Sequence, residues 1–282
     1  MPKVRVRDGA TIFYRDDCFA DPWRDDVETV VLLHGFCRNS VFWTGWVPTL
    51  AREYRVIRWD ARGTGRSTKT APPGGWTLRG YHEDLINLLD SLAVKGAHFV
   101  GESMGGMVIP YLAAWYPERV SSITACSSNV AIRDTVGRQM AAGAPSMPEA
   151  IRSMPITDYI RATEDGRLDP GETSQAMRDW YRAQWAATPR TTWEDWSSIL
   201  VPQIDITAEM LRSIAVPLLV IAASGSSRTP LDEVKIWKDN VPGARMATVE
   251  SRSQGIAMTN ADECAALTLE FLRTVTRPAT IA

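Results

Sequence analysis

At 282 residues, with 45% hydrophobic and 23% charged residues, the chain has the size and composition of one large α/β domain or of a core with an inserted subdomain. Its net charge of -2 supplies no field for nucleic acid or an anionic membrane surface, so neither is expected as a partner. The N-terminus, Met1-Pro2-Lys3-Val4-Arg5-Val6-Arg7, alternates charge with valine and has no apolar h-region, and no window reaches the length of a membrane span. Cys18, Cys37, Cys126 and Cys264 are scattered without metal-type spacing. They read as free thiols of a reducing cytoplasm, with neither metal nor organic cofactor expected.

Short apolar runs bounded by turn residues alternate with helical patterns. Val4–Val6 and Thr11–Tyr14 predict an opening hairpin around Asp8-Gly9. Buried strands are predicted at Thr29–Leu33, Arg55–Trp59, Ala97–Val100, Ser122–Ala125, Leu218–Ile221 and Met246–Val249. Helices fit at Leu78–Leu92, Met107–Trp115, Leu231–Asn240 and Asp262–Thr276. Strands that are apolar throughout, separated by helices, predict a mostly parallel sheet covered on both faces.

Residues 131–212 break the rhythm. They carry Met140, Met147, Met154 and Met177 beside Trp180, Trp185, Trp193 and Trp196, with no strand pattern. They are expected to form a helical cap on a core of residues 1–130 and 213–282. The aromatics read either as packing within the cap or as an apolar ceiling over a substrate, with Trp180 and Trp185 the candidates for the ceiling.

Gly101-Glu102-Ser103-Met104-Gly105-Gly106 follows a predicted strand and opens a predicted helix, the context of a GxSxG nucleophile elbow. The tight turn needs small residues around Ser103. It also aims the backbone N–H of Met104 at a developing oxyanion. His34-Gly35-Phe36-Cys37 follows the strand ending at Leu33, and there the N–H of Phe36 is expected to complete the oxyanion hole. His34 reads as a buttress of this loop at the edge of the substrate pocket.

These motifs resemble those of the α/β-hydrolase superfamily over nearly the whole chain. Trp59-Asp60-Ala61-Arg62-Gly63-Thr64-Gly65-Arg66-Ser67 looks like the family's D-x-R-G-x-G-x-S loop, Tyr116-Pro117-Glu118-Arg119-Val120 like the exit from the nucleophile helix, and Pro217–Ile221 like the strand before the catalytic acid. The resemblance implies an α/β-hydrolase fold with a mostly parallel central sheet, helices on both faces and an inserted cap. It also implies a triad of Ser, acid and His in that chain order.

Both partner positions depart from that pattern. Aligned on the start of the last helix, Ser253-Gln254 replaces Gly-His, so Gln254 fills the histidine position. Ser226 fills the acid position, and the secondary acid position after Ala125 reads Cys126-Ser127-Ser128-Asn129, without a carboxylate. The only histidines, His34, His82 and His98, fall elsewhere, the last two on a helix and inside a strand. Glutamine donates and accepts hydrogen bonds but takes no proton at neutral pH. A single substitution converts His to Gln, which admits divergence or engineering. The missing acid favours divergence.

Three functions follow. One is an enzyme acting through Ser103 on a small, largely apolar ester, lactone, amide or carbon–carbon bond, with ordinary hydrolytic turnover depressed. Another is a lyase, cyclase or cofactor-free oxygenase in the same pocket, and the third a small-molecule binding protein. Arg228, beside the acid position, reads either as a contact for a substrate carboxylate or as half of a surface ion pair. The oligomeric state is not legible.

Overall fold

The structure, a computed structural model, describes residues 2–275. Met1 and residues 276–282 of the expected core lie outside the described residues, and with them the expected end of the last helix at Thr276. The strands are β1 (Lys3–Arg5), β2 (Thr11–Asp17), β3 (Thr29–Leu33), β4 (Arg55–Asp60), β5 (Ala97–Glu102), β6 (Val120–Cys126), β7 (Leu218–Ala223) and β8 (Arg245–Val249). They form one sheet in the order β1-β2-β4-β3-β5-β6-β7-β8. The β1–β2 and β2–β4 pairings are antiparallel, and all others are parallel.

All of β3 is buried. Val31 and Leu33 join an apolar cluster with Ile57, Phe99, Val108 and Leu112, whereas Val30 and Leu32 join a second with Trp46, Leu50, Cys264 and Phe271. Alternate residues of a strand point to opposite faces, so a strand covered on both sides is apolar on both of them, as Val30 to Leu33 are. The helices Leu78–Ser91, Met104–Trp115 and Leu231–Asn240 cover the first face, and Ala261–Arg273 covers the second. No helix among the described residues is long and apolar enough to cross a membrane.

Between β6 and β7 the described chain makes helices and turns, from Asp134–Ala141 to Ala208–Arg212. Trp185, Trp193 and Trp196 are fully buried there and belong to the same cluster as the first face of the sheet. Burying a large apolar side chain contributes roughly 1.5–3 kcal/mol, so these rings bind the insertion to the core as well as to itself. Ala208–Arg212 packs on Met104–Trp115 and Leu231–Asn240, which fixes the return to the sheet.

Candidate active site

β3 and β5 are parallel neighbours, with Leu33 paired to Gly101. Their carboxyl ends deliver His34-Gly35-Phe36 and Glu102-Ser103 to one edge of the sheet, where open α/β sheets hold ligands. Ser103 adopts φ 54° and ψ -123°. For a residue other than glycine, such a conformation costs on the order of 1–3 kcal/mol. The end of β6 and the turn after it hold it: Ser103 N–H donates to the Cys126 carbonyl at 3.1 Å, and the Ser128 hydroxyl donates to the Ser103 carbonyl at 3.0 Å. A Cβ at position 101 would lie 2.4 Å from the Gly105 backbone, and one at 105 would lie 2.1 Å from the Leu33 carbonyl oxygen. Only hydrogen fits at either place. The Gly106 and Met107 N–H groups return to the Ser103 carbonyl, so the Met104 N–H stands at the helix start with no preceding turn to receive it.

The loop after β3 is oriented by its neighbours. His34 Nδ1–H donates to the Gly35 carbonyl at 2.8 Å and His34 Nε2 accepts the Ala61 N–H at 3.1 Å. Burial lowers the His34 pKa and keeps the ring neutral. Arg38 N–H also donates to the Gly35 carbonyl, at 3.2 Å. In a trans peptide the N–H lies opposite the C=O, so tethering this carbonyl turns the Phe36 N–H to the other side. From the insertion, Trp185 Nε1–H donates to the Phe36 carbonyl at 2.9 Å and the Thr188 hydroxyl to that of Cys37 at 2.8 Å.

The cavity in front of Ser103 measures about 50 Å³ and is walled by Phe36, Met104, Trp185, Arg228 and Gln254 among others. At about 10–15 Å³ for each water-sized group, it takes a few such groups. Met107, Ile132, Met140, Val201 and Ile204 are shared between it and an adjoining groove of about 760 Å³.

His34 and Trp180 are corrections to the expected pocket. Both nitrogens of His34 are engaged by backbone and its ring stacks on Trp196, so it supports the loop from behind. Tyr181 and Trp185 share the buried face of the helix Gln175–Ala186, one turn apart, and Trp180 stands beside that face against Phe42.

Gln254 Nε2–H donates to Ser103 Oγ at 3.1 Å. The loop carrying Gln254 is clasped by the insertion. Gln254 N–H donates to Gly166 O at 3.4 Å and Gly255 N–H to Arg167 O at 2.9 Å. The Glu172 carboxylate accepts from the Ser251 hydroxyl at 2.7 Å and from Arg252 N–H at 2.9 Å, and Asp169 N–H donates to Ser253 Oγ at 2.9 Å.

Ser226 is a further correction. It is buried outside the cavity wall, and its Oγ accepts the N–H groups of Arg228 and Thr229 at 3.3 and 3.2 Å, closing its own turn. No histidine lines the cavity. His82 faces the Leu78 and Val108 carbonyls, with burial lowering its pKa to about 4, and His98 faces Ser122 Oγ. Asp60 accepts the N–H of Arg66 in its own loop and that of Ser40 in the segment after β3, both at 2.7 Å, and so ties the two together.

Two residues that sequence reasoning passed over, Arg38 and Arg167, join Arg228 in lining the cavity and add positive charge. Arg38 Nη1 pairs with Glu102 Oε2 at 2.6 Å, both side chains being buried. Burial pushes the Glu102 carboxyl up while the Arg38 charge pulls it down. The pKa of Arg228 falls to about 9, through burial first and then the charges of Arg167 and Arg38. Asn129 Nδ2–H donates to the Arg228 carbonyl at 2.8 Å, and its buried Oδ1 has no protein partner. Arg167 lies in the polar run Glu164–Asp169, where nothing in the sequence separates it from solvated charge.

The family described as "alpha/beta hydrolase fold" matches residues 28–251. The chain belongs to this family. Among curated proteins it is similar to "Putative carbamate hydrolase RutD" of Stutzerimonas stutzeri, 25% identical over 264 residues that cover 88% of this chain and 92% of that protein. It is also similar to 3-oxoadipate enol-lactonase 1 of Acinetobacter baylyi, 26% identical over 221 residues covering 77% and 78%. A crystal structure of a hydrolase from Pseudomonas aeruginosa superposes with a TM-score of 0.82 at 25% identity, over 96% of this chain and 97% of that one.

Proposed function

We propose that this chain is an acyl-transfer enzyme acting on a small carbonyl compound, an ester, lactone, amide or activated carbon–carbon bond. Ser103 Oγ attacks the carbonyl carbon, and the N–H groups of Phe36 and Met104 receive the oxyanion. Gln254 positions Ser103 Oγ but takes no proton. The hydroxyl proton must leave to water or to the departing group, which makes acylation slow and favours activated substrates. Deacylation lacks a water activator for the same reason. The insertion over residues 131–212 serves as the ceiling, through Val136, Met140 and Trp185. The observation that carries this reading is the 3.1 Å contact from Gln254 Nε2 to Ser103 Oγ, inside a cavity that Phe36 and Met104 also line. The names of the curated relatives, a carbamate hydrolase and an enol-lactonase, support hydrolysis of a small molecule. Free thiols, buried at Cys37, Cys126 and Cys264 and exposed at Cys18, fit a reducing compartment such as the cytoplasm.

Intact-mass spectrometry after incubation with 4-nitrophenyl acetate tests the reading. An acetyl adduct should build up slowly on the chain and be missing from Ser103→Ala. If no adduct forms, and Gln254→His produces neither adduct nor turnover, acyl transfer is wrong and a lyase or binding role takes its place.

A further inference from the structure

We propose that the walls particular to the inner cavity form a carboxylate subsite, built by the guanidinium groups of Arg167 and Arg228. The substrate is then a carbonyl compound bearing one carboxylate, its apolar body lying in the adjoining groove. This deepens the reading of Ser103 as the reacting group and rests on it.

The charge balance around the cavity points to an anion. Arg38 is neutralised by Glu102, but among the described residues neither Arg167 nor Arg228 has a carboxylate within ion-pair distance. The two side chains are only 5% and 3% exposed. They converge on one acceptor, the Thr163 carbonyl, at 2.6 Å from Arg167 Nη1 and 2.9 Å from Arg228 Nη2. Arg228 Nε is buried without a partner. Burying a charge without a counter-charge is costly, and two like charges on one carbonyl add repulsion. The cavity holds them there all the same.

The local sequence makes this arrangement possible. A Cβ at position 166 would lie 2.5 Å from Arg228 Nε, so glycine there lets the insertion pass over this side chain without displacing it. Arg167 is fixed from its other side by the face of Trp185, 4.3 Å from the ring centroid. Two planar forks held in this way present paired N–H donors, the geometry that receives a carboxylate. The volume of about 50 Å³ limits the charged end to a small group. The residues shared with the groove are Met107, Ile132, Met140, Val201 and Ile204, all apolar. An apolar neck therefore separates the arginine pair inside from a groove whose walls are mostly apolar, with Arg138 and Ser146 among them.

The test is binding, measured by isothermal titration calorimetry on Ser103→Ala so that no turnover intervenes. The probes are 4-oxo-4-phenylbutanoate and its neutral primary amide. The acid should bind at least about tenfold more tightly than the amide. Arg228→Met and Arg167→Met should each remove most of that preference, with circular dichroism and thermal melting of each variant reporting an intact fold. Equal binding of acid and amide overturns the subsite, as does no binding of the acid, or arginine variants that weaken both probes alike. If the preference holds while Gln254→His stays inert towards activated esters, the carboxylate subsite stands and the acyl-transfer reading alone falls.

Discussion

Gln254→His is the sharpest perturbation of this site. In both side chains Nε2 stands the same number of bonds from Cα, so the 3.1 Å contact to Ser103 Oγ can be kept with a group that accepts a proton. A positioned general base contributes about 10²–10⁴ in rate. Here the imidazole would have no carboxylate to orient it, because Ser226 supplies only a hydroxyl already engaged with the N–H groups of Arg228 and Thr229. In a complete triad, disabling the orienting acid costs about 10⁴. The single change should therefore gain only about ten- to a hundredfold, or about 1.4–2.7 kcal/mol of barrier. Adding Ser226→Asp should raise the rate further and non-additively, since base and orienter act as a unit. The imidazole has an unperturbed pKa of about 6.5, and the arginine charges around the cavity disfavour its cation, so activity should rise from acid and level off by about pH 6.5. The assay is the initial rate of 4-nitrophenyl acetate hydrolysis, with Ser103→Ala in the same background subtracted. Two results would refute the reasoning. If the unmodified chain is fast and Ser103→Ala silences it, some other group is the base. If Gln254→His with Ser226→Asp changes nothing, the pocket does not perform acyl transfer.

Glu102→Gln keeps the shape of the buried pair with Arg38 but leaves that guanidinium beside Arg167 and Arg228 without a counter-charge. Urea unfolding should show a loss of about 3 kcal/mol, and a loss below about 1 kcal/mol would mean that solvent neutralises the site. Gly105→Ala drives a methyl into the Leu33 carbonyl and should cost at least about 1–3 kcal/mol, read as a lowered urea midpoint with m unchanged; an unshifted midpoint would contradict the close packing of the elbow. The clasp on the Gln254 loop should weaken in acid. Arg252 holds the Asp169 carboxyl low. At Glu172, burial acts upward but is outweighed by hydrogen bonds from the Ser251 hydroxyl and the N–H groups of Arg252 and Ser253. Depressed carboxyls contribute stability above their unfolded values of 3.8 and 4.5 and lose it as pH falls through the lower folded values. Protection against hydrogen exchange at the Arg252, Gln254 and Gly255 amides, taken relative to the intrinsic rate at each pH, should therefore fall below about pH 4. Glu172→Gln should bring part of that loss to neutral pH, and no change in either experiment would remove the clasp from the account.

The sheet was legible because burial on both faces leaves a local signature: β7 is apolar at every position, β3 at every position after Thr29, and both are bounded by turns. The elbow was legible because Gly101 and Gly105 are dictated by backbone approaches of 2.4 and 2.1 Å, which no other residue tolerates. Gln254 was placed by its offset from the last helix, a covalent ruler that holds whichever residue stands there. Arg38 and Arg167 escaped notice because their meaning comes from convergence in space. Arg167 is brought to Arg228 by a turn of the insertion, and an arginine in an acidic run looks like surface. Trp180 and Trp185 could not be told apart either, since which face of their helix meets the cavity is decided by tertiary packing.

The bonds that hold the Gln254 loop run through the N–H groups of Arg252, Gln254 and Gly255, the Ser251 and Ser253 hydroxyls and the Arg252 guanidinium. None of them depends on the side chain at position 254. The loop is a socket that stays in place whichever residue is fitted, so an exchange there alters reactivity while the scaffold is barely disturbed. A lineage could lose a proton acceptor at this point, or regain one, in a single step and without first repairing its fold.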